Sequence, residues 1–98
     1  MKAGDKMKFE WDERKNMINI QKHGCSFKQA SKVFFDEGRI EGEYYREHGE
    51  WRFNVLGMVD KVLLVVCTDR AENTIRIILA KEKVFLFATN QTLYIQST

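Results

Sequence analysis

The hydrophobic pattern changes its period once along the chain, after "DEG". Before it, apolar residues recur at the three- and four-residue spacing of amphipathic helices. A first helix is predicted over "ERKNMINIQKH", with Asp12 as its N-cap and Gly24 where a left-handed residue ends a helix. A second helix follows Ser26, which forms a capping-box pattern with Gln29. The short strand "KFEW" is predicted to precede both helices.

After "DEG" the chain shows the pattern of strands. "RIEGEYY" is predicted as a weak edge strand, and "RFNVLGM" alternates apolar Phe53 and Val55 with polar Arg52 and Asn54. "KVLLVVCT" is continuously apolar, as a central strand covered on both faces would be, and "TIRIILA" follows it. The connections "VDK" and "DRAEN" have hairpin length, so these strands should be antiparallel neighbours. The order predicts an α+β fold with two N-terminal helices packed on one face of a curved antiparallel sheet.

The second helix presents one apolar stripe. Phe27, Ala30, Val33 and Phe34 recur at helical spacing, and we expect all four in the core. A helix with such a stripe needs an apolar sheet face to cover it. The strands supply that face.

Arg76 interrupts the otherwise apolar strand "TIRIILA". A guanidinium cannot lose its charge in a protein, so burying it is costly without an anion. Alternation places Arg76 and Ala80 on one face of the strand, and Ile77 and Leu79 on the other, which is the better core face. Arg76 is therefore predicted to point away from the core. Either a carboxylate of this chain pairs with it, or another molecule brings the negative charge.

The composition indicates one soluble domain of 98 residues, with 44% hydrophobic and 31% charged residues. No apolar run reaches the length of a membrane span, and the N-terminus lacks the apolar region of a signal peptide. We therefore expect a cytoplasmic protein. Cys25 and Cys67 have no metal-ligand spacing, and both are interpreted as small buried hydrophobes.

The net charge of +2 is unevenly distributed. Residues 1–32 carry +4, residues 33–50 carry −4 and residues 51–98 carry +2. This division is typical of a protein with one phosphate-facing surface and one that repels phosphate. An ordinary solvated surface is the equally open alternative.

Several cations are predicted on or near one sheet face: Arg52, Arg70, Arg76 and Lys81. Clustered cations repel one another unless an anion joins them, and phosphate fits arginine well because its oxygens accept two parallel hydrogen bonds. The alternative is that the arginines pair with local acids such as Glu50 and Asp69.

Cleavage of RNA by its own 2′-hydroxyl needs a base, an acid and cations that stabilise the charge on phosphorus. The chain has two histidines, His23 and His48, and Glu50 is another possible base. The simpler alternatives stay open. His23 can merely cap a helix end, His48 lies in a predicted hairpin turn, and Lys22 can be an ordinary exposed lysine.

The order of the motifs resembles the BrnT toxins of bacterial type II toxin–antitoxin systems. The matching segments are "FEWDERKNMINIQKHGCSFKQASKVFFD" (9–36), "EWRFNVLG" (50–57), "LLVVCTDR" (63–70) and "IRIILAK" (75–81). The first is the most specific, with F-x-W-D, K-N, N-x-x-K-H-G, S-F and V-F-x-D in succession. The resemblance covers about residues 8–83 of a single domain, 1–98, and leaves a divergent tail, 84–98.

The resemblance implies a RelE-like fold and an endoribonuclease, without metal or cofactor, that cuts RNA and blocks translation. It also implies a BrnA-like antitoxin whose ribbon-helix-helix part binds operator DNA, with no membrane partner. The family's K-H-G falls on Lys22, His23 and Gly24. Its E-x-R-F falls on Glu50, Arg52 and Phe53. Its acidic-Arg pair falls on Asp69 and Arg70, and the first arginine of its R-I-I-S-A-R falls on Arg76. The resemblance thus implies catalytic roles for His23, Glu50, Arg52, Arg70 and Arg76, and phosphate binding by Lys22 and Lys81.

The chain departs from the family at its end. Lys81 stands where the family has arginine, so the charge is kept but the two-pronged grip is lost. The family continues into a charged helix, whereas "VFLF" and "LYI" around "ATNQT" predict a strand hairpin without a charged side chain. Such a tail can add a strand, lie exposed or pair with a second subunit, including in a homodimer within the toxin–antitoxin complex. Two alternatives to the active toxin follow: a degenerate toxin that keeps only its regulatory surface, and a plain RNA- or protein-binding module.

Overall fold

The computed structural model describes residues 6–87 and 93–97, with side chains over residues 6–83. Over these residues the chain forms two α-helices, one 3-10 helix and seven strands. Their bounds are β1 (Lys8–Glu10), α1 (Glu13–His23), α2 (Phe27–Ser31), the 3-10 helix (Lys32–Phe35), β2 (Ile40–Glu41), β3 (Tyr45–Glu47), β4 (Glu50–Val59), β5 (Lys61–Ala71), β6 (Thr74–Phe87) and β7 (Leu93–Ser97). Within the described ranges, no helix is both long and apolar enough to cross a membrane.

The strands form a sheet in the order β1-β6-β5-β4-β2, while β3 also pairs with β4 and β7 with β6. The hairpin pairs β4–β5 and β5–β6 are antiparallel, as the short connections predict. β1 pairs in parallel with the start of β6, which makes the sheet mixed. The helical segment packs its buried residues against the inner sheet residues in one core. The α+β prediction is confirmed.

Local capping sets both ends of α1. The Asp12 carboxylate accepts hydrogen bonds from the backbone N–H groups of Arg14 and Lys15, at 2.9 and 3.2 Å. Gly24 adopts a left-handed conformation with φ of 67°, and its N–H donates to the Ile20 carbonyl. These contacts lie within four residues in the chain, which is why the sequence alone predicts both ends.

The predicted second helix is divided into α2 and the 3-10 helix. Ser26 accepts the Gln29 N–H at 3.0 Å and starts α2 as expected. All four residues of the predicted apolar stripe are buried. The 3-10 helix lies very close to β4, because a Cβ at Gly57 would sit only 2.9 Å from the Cβ of Val33. Glycine in this strand permits that approach.

A bulge in β6 corrects the predicted faces of this strand. The β5–β6 ladder slips by one residue at Ile78, so the alternation reverses beyond it. Ala80 is consequently fully buried, whereas Leu79 is only partly buried. The prediction that Leu79 lies in the core and Ala80 outside it is therefore wrong. Arg76 precedes the bulge and keeps its predicted orientation.

β5 is central, as predicted, but only its inner face is fully covered. Leu63 and Val65 are buried, while Val62, Leu64 and Val66 are partly exposed. The prediction of cover on both faces is wrong, because the helices lie on one side only. We call the side of β4, β5 and β6 that carries Arg52, Val66, Arg76 and Leu79 the open face.

Both cysteines are free and buried. Burial raises the pKa of the Cys25 thiol and of the Cys67 thiol, so both stay protonated. This confirms their interpretation as small hydrophobic residues.

The divergent tail forms strands, as the sequence predicts. β6 continues to Phe87 and pairs antiparallel with β7, from Lys83 opposite Ser97 to Phe87 opposite Leu93. The predicted loop, residues 88–92, lies outside the described residues.

Two buried asparagines fasten α1 to its neighbours. The Asn19 amide donates to the carbonyls of Cys25 and Ala80 and accepts the Ala80 N–H, so it takes the place of a strand at the edge of β6. Asn16 accepts the Phe27 N–H and donates to a Glu13 carboxylate oxygen. These two side chains thus join α1 to the start of α2 and to the distant strand β6.

Replacing Asn19 by alanine is expected to lower the free energy of unfolding by about 1–3 kcal/mol, because buried backbone groups at Cys25 and Ala80 lose their partner. Urea denaturation followed by circular dichroism measures this. Asn54→Ala is the matched control, since Asn54 is partly exposed and its bond to the Tyr45 hydroxyl can be replaced by water. An equal loss in both variants would contradict the bridging role of Asn19.

Candidate functional site

Arg76 is paired with a carboxylate of this chain, and that carboxylate also binds a second arginine. Glu10 lies opposite Arg76 in the β1–β6 pair, and its Oε2 accepts from Arg76 Nη1 at 2.8 Å. The Nε atom of Arg70 lies 3.5 Å from the same oxygen. All three side chains are partly exposed, Arg76 at 33% and Glu10 at 40%. One carboxylate therefore faces two guanidinium groups, and the cluster carries a net positive charge.

Arg52 pairs with nearby acidic residues, which is one of the two alternatives that the sequence left open. It lies 2.9 Å from a carboxylate oxygen of Glu47 and 2.9 Å from one of Glu50. Its side chain alternates with buried Phe53 and therefore points to the open face. The three charges of Glu47, Glu50 and Arg52 sum to a negative group. Arg52 is less available for phosphate than the Arg70–Arg76 pair, because two carboxylates contact Arg52 whereas Arg70 and Arg76 share one.

Arg52 and Arg76 lie on the two strands that flank β5. Phe53 pairs with Cys67, and the next residue of β5, Thr68, pairs with Arg76. Because backbones two strands apart are separated by about 10 Å, the backbones of Arg52 and Arg76 lie about that far apart. Glu50 begins β4 at this same end of the sheet, where β5 ends and β6 begins.

Lys22 and His23 form a second group, at the end of α1. They line a shallow groove of about 140 Å³ between α1 and β6, together with Ile78 and Leu79. Lys81 pairs with Leu64 in the β5–β6 ladder, five residues beyond Arg76, which is about 16 Å along an extended strand. The residues named from the sequence thus divide into two groups along the open face.

His48 lies at the tip of the β3–β4 hairpin. It and Gly49 both have positive φ, 52° and 77°, and His48 is exposed. The hairpin turn predicted from the sequence is confirmed.

Asp69 belongs to the opposite side of the sheet from Arg70. It accepts a hydrogen bond from the Tyr44 hydroxyl at 2.5 Å. This bond, with partial burial, raises the pKa of Tyr44 to about 12, so the phenol remains a donor at neutral pH. Both residues line a cavity of about 170 Å³ on the helix side of the sheet. Asp69, which matches the acidic residue of the family's acidic-Arg pair, therefore links Tyr44 to β5 through this hydrogen bond.

Glu10 is the residue that sequence reasoning missed. It occupies a variable position of the F-x-W-D pattern, and nothing local signals that β1 will pair in parallel with β6. Asn16 and Asn19 match the K-N and N-x-x-K-H-G patterns, and buried hydrogen bonds give both a structural role. Across residues 6–87 and 93–97, no group of three His, Cys, Asp or Glu side chains could hold a metal ion.

Comparison with known proteins identifies the family and the fold of this chain. A family model described as the ribonuclease toxin BrnT of type II toxin–antitoxin systems matches residues 11–83. The crystal structure of the Brucella abortus ribonuclease toxin BrnT is 22% identical to this chain, with a TM-score of 0.59 over 78% of this chain and 95% of that one. The likeness to that structure shows a shared fold. No curated protein sequence matches.

The match covers most of the chain and includes both helices, the strands β4 and β5, and β6 up to Lys83. It leaves outside both β1, which carries Glu10, and β7. The chain belongs to the BrnT family of ribonuclease toxins from type II toxin–antitoxin systems.

Proposed function

We propose that this protein is an active toxin of a type II toxin–antitoxin system, an endoribonuclease that cleaves RNA and thereby inhibits translation. The observation that carries the proposal is the pair Arg70 and Arg76, two partly exposed guanidinium groups directed at one oxygen on the open face. Membership of a family of ribonuclease toxins supports it.

Phosphate is the ligand that this pair fits. Arginine keeps its charge at any physiological pH and offers planar, paired donors to the oxygens of a phosphodiester. Arg70 and Arg76 contribute two positive charges against the single carboxylate of Glu10. A phosphate at this position would lie beside donors that can stabilise the extra charge that develops on phosphorus during cleavage.

Proton transfer is assigned to Glu50 or His23. Glu50 is at the same sheet end as the arginine pair, so its carboxylate is the better base for a 2′-hydroxyl near Arg76. His23, with Lys22, borders the groove beside Leu79 and is suited to contact the RNA further along the open face. Lys81, on that side as well, would hold a neighbouring phosphate. No metal or cofactor enters this mechanism.

The partner that fits a toxin of this family is a BrnA-like ribbon-helix-helix antitoxin, which would bind operator DNA on behalf of the complex. The cytoplasm is the compartment where RNA, the antitoxin and two reduced thiols occur together. A homodimer within the toxin–antitoxin complex would use the β6–β7 extension, whose sequence from Val84 has no charged side chain.

The test is induced expression of the wild-type protein with growth and RNA integrity followed in the same cultures, and purified protein incubated with RNA. Growth arrest accompanied by RNA fragmentation, and cleavage of RNA by the purified protein, are expected. Arrest with intact RNA would overturn the nuclease proposal. Co-expression with a BrnA-like ribbon-helix-helix antitoxin should restore growth.

The second candidate is a catalytically degenerate toxin that retains its regulatory surface. Lys81 in place of the family's arginine and the charge-free tail favour it. A folded protein that binds the antitoxin but neither arrests growth nor cleaves RNA would establish this alternative.

A further inference from the structure

The Arg70–Arg76 pair already has an anionic occupant. The Glu10 carboxylate approaches Arg76 at 2.8 Å and Arg70 at 3.5 Å through the same oxygen, Oε2. This is the position that an anion shared by two arginines would take. Glu10 reaches it because β1 pairs in parallel with β6 and places the two residues directly opposite each other.

The nearby carboxylate of Asp12 caps α1 and does not take this position. Its carboxylate accepts the N–H groups of Arg14 and Lys15 at the start of α1. Those bonds are the main reason that the pKa of Asp12 lies below its usual value, with the charge of Arg76 a lesser cause. Asp12 thus contributes a distant negative charge, whereas Glu10 contacts the guanidinium groups.

We propose that Glu10 is an internal competitor for phosphate: in the free protein its carboxylate occupies the anion position between Arg70 and Arg76, and a phosphodiester of RNA displaces it. This inference rests on the proposed function, since it takes RNA as the ligand of the same arginines. A carboxylate and a phosphate present similar oxygens to guanidinium donors and cannot share one position without repulsion.

Displacement of Glu10 is physically easy. The Glu10 side chain is 40% exposed and the ion pairs are open to water, so the contacts that must break are weak ones. A phosphodiester brings a full charge together with several acceptor oxygens, and release of counterions from RNA adds to its advantage. Glu10 consequently lowers the affinity for RNA without blocking the site, and it keeps two adjacent arginines from repelling each other while the site is empty.

The consequence can be measured with an RNA oligonucleotide that carries 2′-O-methyl groups, which binds but lacks the attacking hydroxyl. Its binding is followed by fluorescence anisotropy at low salt. Glu10→Gln removes the charge and keeps the shape of the side chain. We expect this variant to bind about fivefold more tightly than the wild type, because one nearby repelling charge is removed.

Glu41→Gln is the matched control. Glu41 forms one arginine ion pair, 2.8 Å to Arg39, at a similar side-chain exposure of 37%. It is opposite buried Val55 in the β2–β4 pair and is therefore on the helix side of the sheet. The net charge changes equally in both variants, so only a local effect separates them. We expect the control to bind within twofold of the wild type.

A double variant identifies the arginine involved. In the Arg76→Ala background, Glu10→Gln should change the affinity much less than it does in the wild type, because the guanidinium that Glu10 contacts at 2.8 Å is missing and only Arg70, at 3.5 Å, remains. Thermal melting of each variant checks that the fold is kept.

Equal or weaker binding by Glu10→Gln would overturn the competitor role and make Glu10 a residue that positions the arginines. Cleavage of ordinary RNA by the wild-type protein, measured in parallel, would leave the ribonuclease proposal standing in that case. Absence of binding by both proteins overturns the competitor role, and absence of cleavage as well overturns the ribonuclease proposal.

Discussion

Replacing Arg76 by alanine is expected to lower the rate of RNA cleavage by about a hundredfold or more while the protein stays folded. The loss follows because a donor aimed at developing charge contributes far more in the transition state than in the free protein. Its removal should leave the fold intact, since the side chain is 33% exposed and points to the open face rather than into the core. The remaining charge of Arg70 keeps Glu10 partnered.

The measurement is the initial rate of cleavage of an end-labelled RNA by purified protein, with a circular dichroism melt of the same sample. Arg39→Ala is the control, because Arg39 also makes a 2.8 Å ion pair with a glutamate, Glu41, but lies immediately before β2, the strand at the other end of the sheet order. It should cleave at close to the wild-type rate. Unfolding of Arg76→Ala would assign this arginine a structural salt bridge instead.

Replacing Phe34 by alanine is expected to lower the free energy of unfolding by about 3–5 kcal/mol, because the ring is removed from a packed core. Phe34 is 1% exposed. Its ring contacts those of Phe9 and Phe53, with centroids 5.3 and 6.5 Å away, so it joins β1, the 3-10 helix and β4. For a domain of this size, a loss of that magnitude is a large part of the total stability.

The adjacent residue is the control for this prediction. Phe35 is 58% exposed and its ring meets the Phe9 ring in an edge arrangement with centroids 6.5 Å apart, so Phe35→Ala should cost about 1 kcal/mol or less. Both variants are compared with the wild type by urea denaturation. A similar midpoint for all three proteins would contradict the placement of Phe34 in the core.

Under the proposed function, the two groups on the open face would orient an RNA strand. Glu50, Arg70 and Arg76 lie at one end of the sheet, whereas Lys22 and His23 lie beside Leu79 further along β6. A single-stranded segment that runs along β6 would meet both groups in succession. In that arrangement the proposed proton transfer would fall to Glu50 rather than to His23, and Lys22 and His23 would contact a neighbouring nucleotide.

Local patterns predicted the parts of this fold that local contacts form. The ends of α1 are set by Asp12 and Gly24 through hydrogen bonds of short sequence range. The apolar stripe of the second helix is buried because its period matches a helix. The hairpin connections are short, and a short connection can only bring antiparallel strands together.

The errors have equally physical causes. The bulge at Ile78 reversed the alternation of β6, and a single extra residue leaves no mark in the hydrophobic pattern. The apolar pattern of β5 also did not predict that its second face is partly exposed. Apolar side chains can occupy a strand face whether or not another layer covers it. Alternation alone predicted that Arg52, Arg70, Arg76 and Lys81 lie on or near one sheet face. In the structure Arg52 pairs with Glu47 and Glu50, and Lys81 lies five residues beyond Arg76 along β6.

By itself, the sequence determined the two helices, the antiparallel meander, the strand-forming tail and the orientation of Arg76 away from the core. Its motifs also determined the family. Only the tertiary structure decided which anion meets Arg76. That choice depends on the parallel pairing of β1 with β6, which joins residues 66 positions apart. It also decided that Asn19 closes the edge of β6 at Ala80. Such contacts are made by the closing of long chain segments, and no local propensity encodes them.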